Sequence, residues 1–332
     1  MEGELGRRQT VGGGPAPAGR ARARLRTVLS FAFPLALLAF LTRRVGWASL
    51  AASVAPPPWW AWVLATAGMA ASYSFRGLRI HAELSRRHPV TRWQCLRVML
   101  LHNTAVNVVP MRAGEAAYPL LVNRELGVPL GQAVASLVWI RSQDVLLLAL
   151  ALLAFLPRVP AWAKMALAAL GLGAVLALVA LLQRLVARRG TTSAPGNRVV
   201  RTALAALGAL SEAPRHGLSG WLYGGGSWAV KLLALGFLLS RLGTLGLLDA
   251  ATGALGGELA GVLPIQGPAG FGTYEAGVWA LASLHGGPSL RVAAPAVALH
   301  LFTLATAVLA GAIAYAVSPR TPPVRTSEDH HA

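Results

Sequence analysis

The chain holds a single cysteine, Cys95, so no intrachain disulfide can form and cysteine usage does not mark a redox compartment. Charge is scarce too: Asp, Glu, Lys and Arg make 13% of the residues against 55% hydrophobic, and the mean hydropathy is +0.55. A soluble globular domain rarely has that balance, and long apolar runs read as transmembrane helices. Acidic residues are the scarcer charges, 12 against 30 Lys and Arg, for a formal net charge of +18. No zinc-finger or RNA-binding signature accompanies the excess, so nucleic acid is set aside as a partner. In a polytopic membrane protein such an excess marks cytoplasmic loops that face anionic lipid. A catalytic triad, a nucleophile beside a base, a metal-ligand cluster and a nucleotide loop are also missing. Their absence argues against an enzyme and predicts neither cofactor nor metal.

What is present is a succession of apolar segments. Residues 1–26, rich in Gly, Pro, Ala and Arg, read as a disordered basic cytoplasmic tail, and 318–332, ending in His330 and His331, as a polar C-terminal tail. Between them the apolar stretches approach or exceed the length of a bilayer crossing at 27–42, 57–75, 131–157, 161–182, 217–240 and 290–317. The first resembles a signal peptide, but Arg43 and Arg44 directly after it favour a retained helix. The remaining segments come as pairs broken by Pro and Gly: 98–109 with 114–126, and 245–263 with 268–285. Residues 197–212 place Val200, Ala203, Leu204 and Leu207 on one face beside Arg198 and Arg201, the pattern of an amphipathic surface helix.

Loop charge selects a topology. Arginines crowd the N-terminal tail, the 76–97 stretch (Arg76, Arg79, Arg86, Arg87, Arg92, Arg97), the 183–216 loop and the C-terminal tail. All four belong in the cytoplasm by the positive-inside rule. That is consistent only if 98–126 makes no net crossing and 245–285 dips in from the opposite face. The predicted fold is an all-α polytopic membrane protein with about six spanning helices plus two re-entrant helical hairpins in an inverted-topology repeat. Its domain, 27–317, divides into halves at about 27–157 and 161–317, with both termini cytoplasmic. Transporters of this architecture bind substrate between the repeats. "VVPMRAGEAA" in the first half answers "VLPIQGPAGFGTYEAG" in the second.

Pro110 breaks helical hydrogen bonding at the first tip, and Gly114 permits tight backbone geometry there. A second half-helix starting near Gly114–Glu115 would aim its positive dipole end at the tip, with Arg112 adding a forked cation suited to phosphate. Asn107 lies just before the break. Glu115 can cap the half-helix, pair with Arg112 or carry a proton. In "WIRSQDVLL", Arg141 and Asp144 share a helix face, roughly 15–20 Å from the cytoplasmic end at about 1.5 Å per residue. Charges at that depth are costly, which makes them candidate functional groups and equally a structural ion pair. Gln143 reads as a helix–helix hydrogen bond. Lys231, mid-way along 217–240, either faces an anionic headgroup or pairs with Glu258 or Asp144. At the second tip Pro264, Gly270 and Gly272 precede Tyr274 and Glu275, and His300 follows in the last helix. The spacing from Glu275 to His300 repeats that from Glu115 to Arg141 within one residue.

These two tips resemble the flippase-like membrane domain of the lysylphosphatidylglycerol synthase family. The first match runs from Asn107 through Pro110, Arg112, Gly114 and Glu115 to Arg141 and Asp144. The second is Leu263–Pro264 and "PAGFGTYE", where the family tends towards Pro-Gly-Gly-x-Gly-x-x-Glu. The likeness covers most of 28–317. Tyr118, Ile140, Tyr274 and His300 depart from the family pattern, which has charged residues near these places. The resemblance implies the translocating half of such a synthase and not its aminoacyltransferase.

The expectation is therefore a multi-pass inner-membrane protein that moves an anionic phospholipid or isoprenoid-linked glycolipid between leaflets. Substrate would meet Asn107, Arg112, Glu115, Arg141, Asp144, Lys231, Glu275 and His300. Pro110, Gly114, Pro264, Gly270 and Gly272 would shape the tips. Its partners would be membrane lipids, with a second copy of itself or an envelope-biosynthesis enzyme as further partners. The alternative is a non-transporting scaffold or regulator of a lipid or cell-envelope enzyme.

Overall fold

A computed structural model of the chain describes residues 54–189, 218–262, 267–285 and 292–317, together with Gly208. The tails 1–26 and 318–332, the expected first helix 27–42, Pro264 and, Gly208 apart, the surface helix 197–212 lie outside the described residues.

Nine α-helices are described. After three prolines, α1 spans Trp59–Leu84. Helix α2 (Arg92–Val108) opens on a capping box in which Thr91 accepts from the Gln94 amide and Gln94 accepts from the Thr91 amide. It stops at Val109, which takes an extended conformation (φ −81°, ψ 123°) because a proline follows. A 3-10 turn, Pro110–Ala116, leads to α3 (Ala117–Leu126), which Gly127 ends in the left-handed region (φ 67°). Helix α4 covers Leu130–Phe155 and α5 covers Ala161–Arg189. Then come α6 (Ser219–Leu242) and α7 (Leu247–Val262). A short turn, Pro268–Gly270, precedes α8 (Thr273–Ala282), and α9 is Ala293–Ala316.

The helix lengths repeat. Helices α1 to α4 hold 26, 17, 10 and 26 residues, and α6 to α9 hold 24, 16, 10 and 24. In each set the second and third members are the broken pair. The corresponding helices α1 and α6 pack along each other, α7 lies on α8, and α2 lies against α1 and α9. Small residues allow these approaches: Gly68 abuts Ala234, Gly236 abuts Ala251, and Gly256 faces Gly277. The core formed between them includes Met69, Leu235, Leu238, Leu239 and Leu299.

The outside is greasy. Leu170, Leu222, Leu233, Leu309 and Ile313 are exposed. Among the described residues, α4, α6 and α9 are long and apolar enough to cross a membrane. Helix α5 offers a shorter apolar stretch, Ala161–Val175. Helix α1 is as long as α4 but carries arginines in its second half.

Those arginines correct the sequence-based expectation of a basic loop over 76–97. No proline interrupts 59–84, so α1 runs on to Leu84, and the connection is only the short stretch before Thr91. Gly77 sits in the helix where Leu96 of α2 comes too close for a Cβ. Arg76 and Arg79 consequently belong to the bundle. A second correction concerns the first tip. The half-helix expected to start at Gly114–Glu115 is α-helical only from Ala117, because the chain stays wound as a 3-10 turn while Gly114 presses on the α2 backbone at Ala105.

Candidate functional site

The two tips lie against each other, and beside them α1, α2, α4, α6, α7 and α9 enclose a cavity of about 160 Å³. Its wall is unusually charged for the middle of an apolar bundle, and the charges fall into three groups.

The first group joins α1, α4 and the first tip. Arg79 is 3% exposed, and its Nη1 donates to Asp144 Oδ1 at 2.6 Å. Its Nε and Nη2 donate to Gln143 Oε1 at 3.2 and 2.6 Å, and Nη2 also to the Ile140 carbonyl at 2.9 Å. The Trp228 indole N–H donates to Asp144 Oδ1 at 3.0 Å. Arg141 Nη1 donates to the other Asp144 oxygen at 3.3 Å, the one-turn spacing read from the sequence. Arg141 Nη2 reaches Glu115 Oε1 and Oε2 at 2.8 and 2.9 Å. His102 Nε2 stands 3.6 Å from the same carboxylate. Two cations thus share Asp144, and Arg141 ties the tip to α4. The Arg79–Asp144 pair is buried and the Arg141–Glu115 pair partly so, and such a lattice is strong only while every member is present.

The second group lies across the cavity. Lys231 Nζ of α6 donates to Glu258 Oε2 of α7 at 2.5 Å, which decides between the two partners that the sequence left open. Arg76 Nε donates to Ser227 Oγ at 3.1 Å, and Ser227 in turn shares a hydrogen bond with Ser72 at 3.0 Å. The Arg76 guanidinium rests over the Trp228 ring, 4.8 Å from its centroid.

The third group is at the second tip. Gly270 and Gly272 both have φ of +83°, a conformation that glycine adopts without strain. Glu275 Oε2 accepts from the Gly272 amide at 2.6 Å and so caps α8, while Oε1 sits 2.7 Å from His300 Nδ1. Tyr274 stacks on His300 with ring centroids 4.4 Å apart, and its buried hydroxyl has no hydrogen-bond partner among the described residues.

The two carboxylate-to-base spacings noticed in the sequence are both direct contacts, Glu115 with Arg141 and Glu275 with His300. Arg141, Asp144, Lys231, Asn107, His300 and Gly270 line the cavity. Glu115 and Glu275 hold lining residues in place. Asn107 donates from Nδ2 to the Asn103 carbonyl at 2.7 Å. Pro110 and Arg112 have their backbone in the 3-10 turn, and the Arg112 side chain lies outside the described residues. Sequence reasoning missed Arg76, Arg79 and Trp228, and gave Gln143 too small a part. The usable signal was the proline-free run through Leu84. Once α1 includes them, Arg76 and Arg79 are three apart and share one face. Among the described residues no three His, Cys, Asp or Glu side chains gather as a metal site.

The sequence model described as the lysylphosphatidylglycerol synthase TM region matches residues 26–311. The chain belongs to that family. No curated protein matches it. With the apolar exterior and three helices able to cross a bilayer, this family member is a multi-pass membrane protein.

Proposed function

We propose that this member of the lysylphosphatidylglycerol synthase TM family carries an anionic phospholipid or isoprenoid-linked glycolipid between the leaflets of the cell's inner membrane. The observation that carries the reading is the cation-lined cavity beside two touching helix breaks, inside a bundle whose outer surface suits lipid. In this reading α2 with α3, and α7 with α8, are re-entrant hairpins entering from opposite faces. They belong to inverted halves at about 27–157 and 161–317, with both termini cytoplasmic. The matched helix lengths support such a repeat. The headgroup enters the cavity while the acyl chains stay in the bilayer. Arg141 offers the headgroup a charge-assisted contact, and Glu115 and Asp144 keep that cation in place.

The test is a leaflet-specific lipid assay in reconstituted vesicles. Arg141→Ala should slow translocation at least tenfold, since about 1.5–3 kcal/mol attends a hydrogen bond to a charged group. Arg141→Lys should recover part of the rate, because lysine keeps the charge and loses the fork. Glu115→Gln should also slow it, by loosening the tip from α4. Rates equal to wild type in all three variants would sink the carrier reading and leave the scaffold as the working alternative.

A further inference from the structure

The carboxylates in and beside the cavity are committed to cations. Asp144 is divided between Arg79 and Arg141, Glu115 clasps Arg141, and Glu258 holds Lys231. Arg76 differs from the other lining cations. Among the described residues no carboxylate pairs with it, and only its Nε donates a hydrogen bond, to the Ser227 hydroxyl. Its two Nη groups, four N–H donors in one plane, donate to no described residue. The guanidinium is nonetheless held in a fixed place. Ser227 fixes one edge, Ser72 fixes Ser227, and the Trp228 ring supports one face at 4.8 Å. Trp228 is itself fixed by its N–H to Asp144. Lys231 Nζ stands 5.5 Å from the centroid of the same ring.

A partly buried guanidinium with no carboxylate paired to it among the described residues is costly in a membrane protein, and an indole face offsets only part of that cost. The geometry points to Arg76 as the anchor for the phosphate of a singly charged phosphodiester, with both Nη groups forked onto its non-bridging oxygens. This rests on the cavity being an anionic-lipid site, and it narrows the ligand. A planar fork with both Nη groups open among the described residues matches two equivalent non-bridging oxygens, as in a diester headgroup. Lys231, on the same ring, is placed to strengthen the local positive potential without leaving Glu258. A phosphate on Arg76 would sit against α1 and α6, the pair of corresponding helices at the centre of the bundle.

The experiment uses the full chain purified in dodecyl maltoside, with phosphatidylglycerol, diacylglycerol and soluble glycerophosphoglycerol as probes. Wild type should hold phosphatidylglycerol in preference to diacylglycerol. Arg76→Gln should weaken phosphatidylglycerol roughly ten- to a hundredfold and leave diacylglycerol unchanged, the loss expected of a charge-assisted fork. Arg76→Lys should fall between, and it replaces Arg76→Gln as the readout if that variant aggregates. A lysine variant binding as tightly as wild type would overturn the fork. Displacement by glycerophosphoglycerol that depends on Arg76 supports a site for the free diester. Arg76-dependent lipid binding without such displacement supports a membrane lipid as the source. If Arg76→Gln binds phosphatidylglycerol normally while Arg141→Ala does not, Arg76 is not the anchor and the anionic-lipid reading stands. If wild type shows no preference over diacylglycerol, that reading fails and the Arg76 assignment with it.

Discussion

Asp144→Ala should unfold the protein more readily than any other single change within the cavity network. The substitution leaves the Arg79 guanidinium without the carboxylate 2.6 Å away, takes from Arg141 one of its two carboxylate partners, and strips the Trp228 N–H of its acceptor. Arg79 is 3% exposed, so water replaces only part of what is lost. Removing one member of a buried ion pair typically costs about 3–5 kcal/mol, because the partner charge stays buried and uncompensated. Here two cations and an indole depend on the same group. Thermal unfolding in detergent micelles should show a large fall in the transition temperature, or no monodisperse protein at all. Asp144→Asn keeps an acceptor for Trp228 and Arg79 but not the charge, and should fall between. A transition within roughly 2 °C of wild type for Asp144→Ala would mean that the network contributes little, since about 3–5 kcal/mol at about 2 °C per kcal/mol should lower it by roughly 6–10 °C.

Gly256→Ala should be nearly as damaging, for a steric reason. A Cβ at Gly256 would run into the backbone carbonyl of Gly277 on α8, and a Cβ at Gly277 would run into the Gly256 carbonyl in return. Backbone cannot rotate away as the end of a side chain can. Helices α7 and α8 must therefore separate; the second tip lies between them, and α8 carries Glu275, which holds His300 of α9. Overpacking costs about 1–3 kcal/mol in well-packed cores, and a backbone clash belongs at the upper end. The control is Gly173→Ala in α5, where nothing lies within 4 Å of the added Cβ. That change should be neutral or stabilising, by up to about 1 kcal/mol of helix propensity. Equal unfolding temperatures for the two variants would refute the steric account. A functional readout sharpens it: Gly256→Ala should lower lipid translocation even at temperatures where the variant stays folded, because the cavity wall moves with α7.

Both expectations draw on contacts that differ in how readable they were. The break at Val109–Pro110 was legible because it is local: a proline without an N–H, and a residue before it pushed out of helix, act whatever surrounds them. The second break was legible from its clustered glycines for the same reason. The carboxylate–base pairs were legible as an echo in spacing, 26 residues between Glu115 and Arg141 and 25 between Glu275 and His300. In the structure both spacings close as direct contacts. The Gly256–Gly277 approach was half legible, since small residues mark close helix contacts but do not say which helix comes near. Arg76 and Arg79 were misplaced because positive charge at the end of an apolar run is the ordinary mark of a cytoplasmic loop. The absence of any helix breaker before Leu84 outweighed that mark.

The sequence by itself determined the elements: apolar helices of bilayer length, two breaks, and an excess of arginine. Each follows from chemistry acting within a few residues, namely hydropathy, lost backbone donors and left-handed glycine. Only the tertiary structure decided which charges meet. Lys231 takes Glu258 rather than Asp144, Asp144 takes Arg79 from 65 residues earlier, and Trp228 closes over both from 84 residues later. Those choices depend on how α1, α4, α6 and α7 are rotated and spaced. Rotation and spacing are set by small residues and core side chains packing together across the whole bundle, and no local pattern encodes the result.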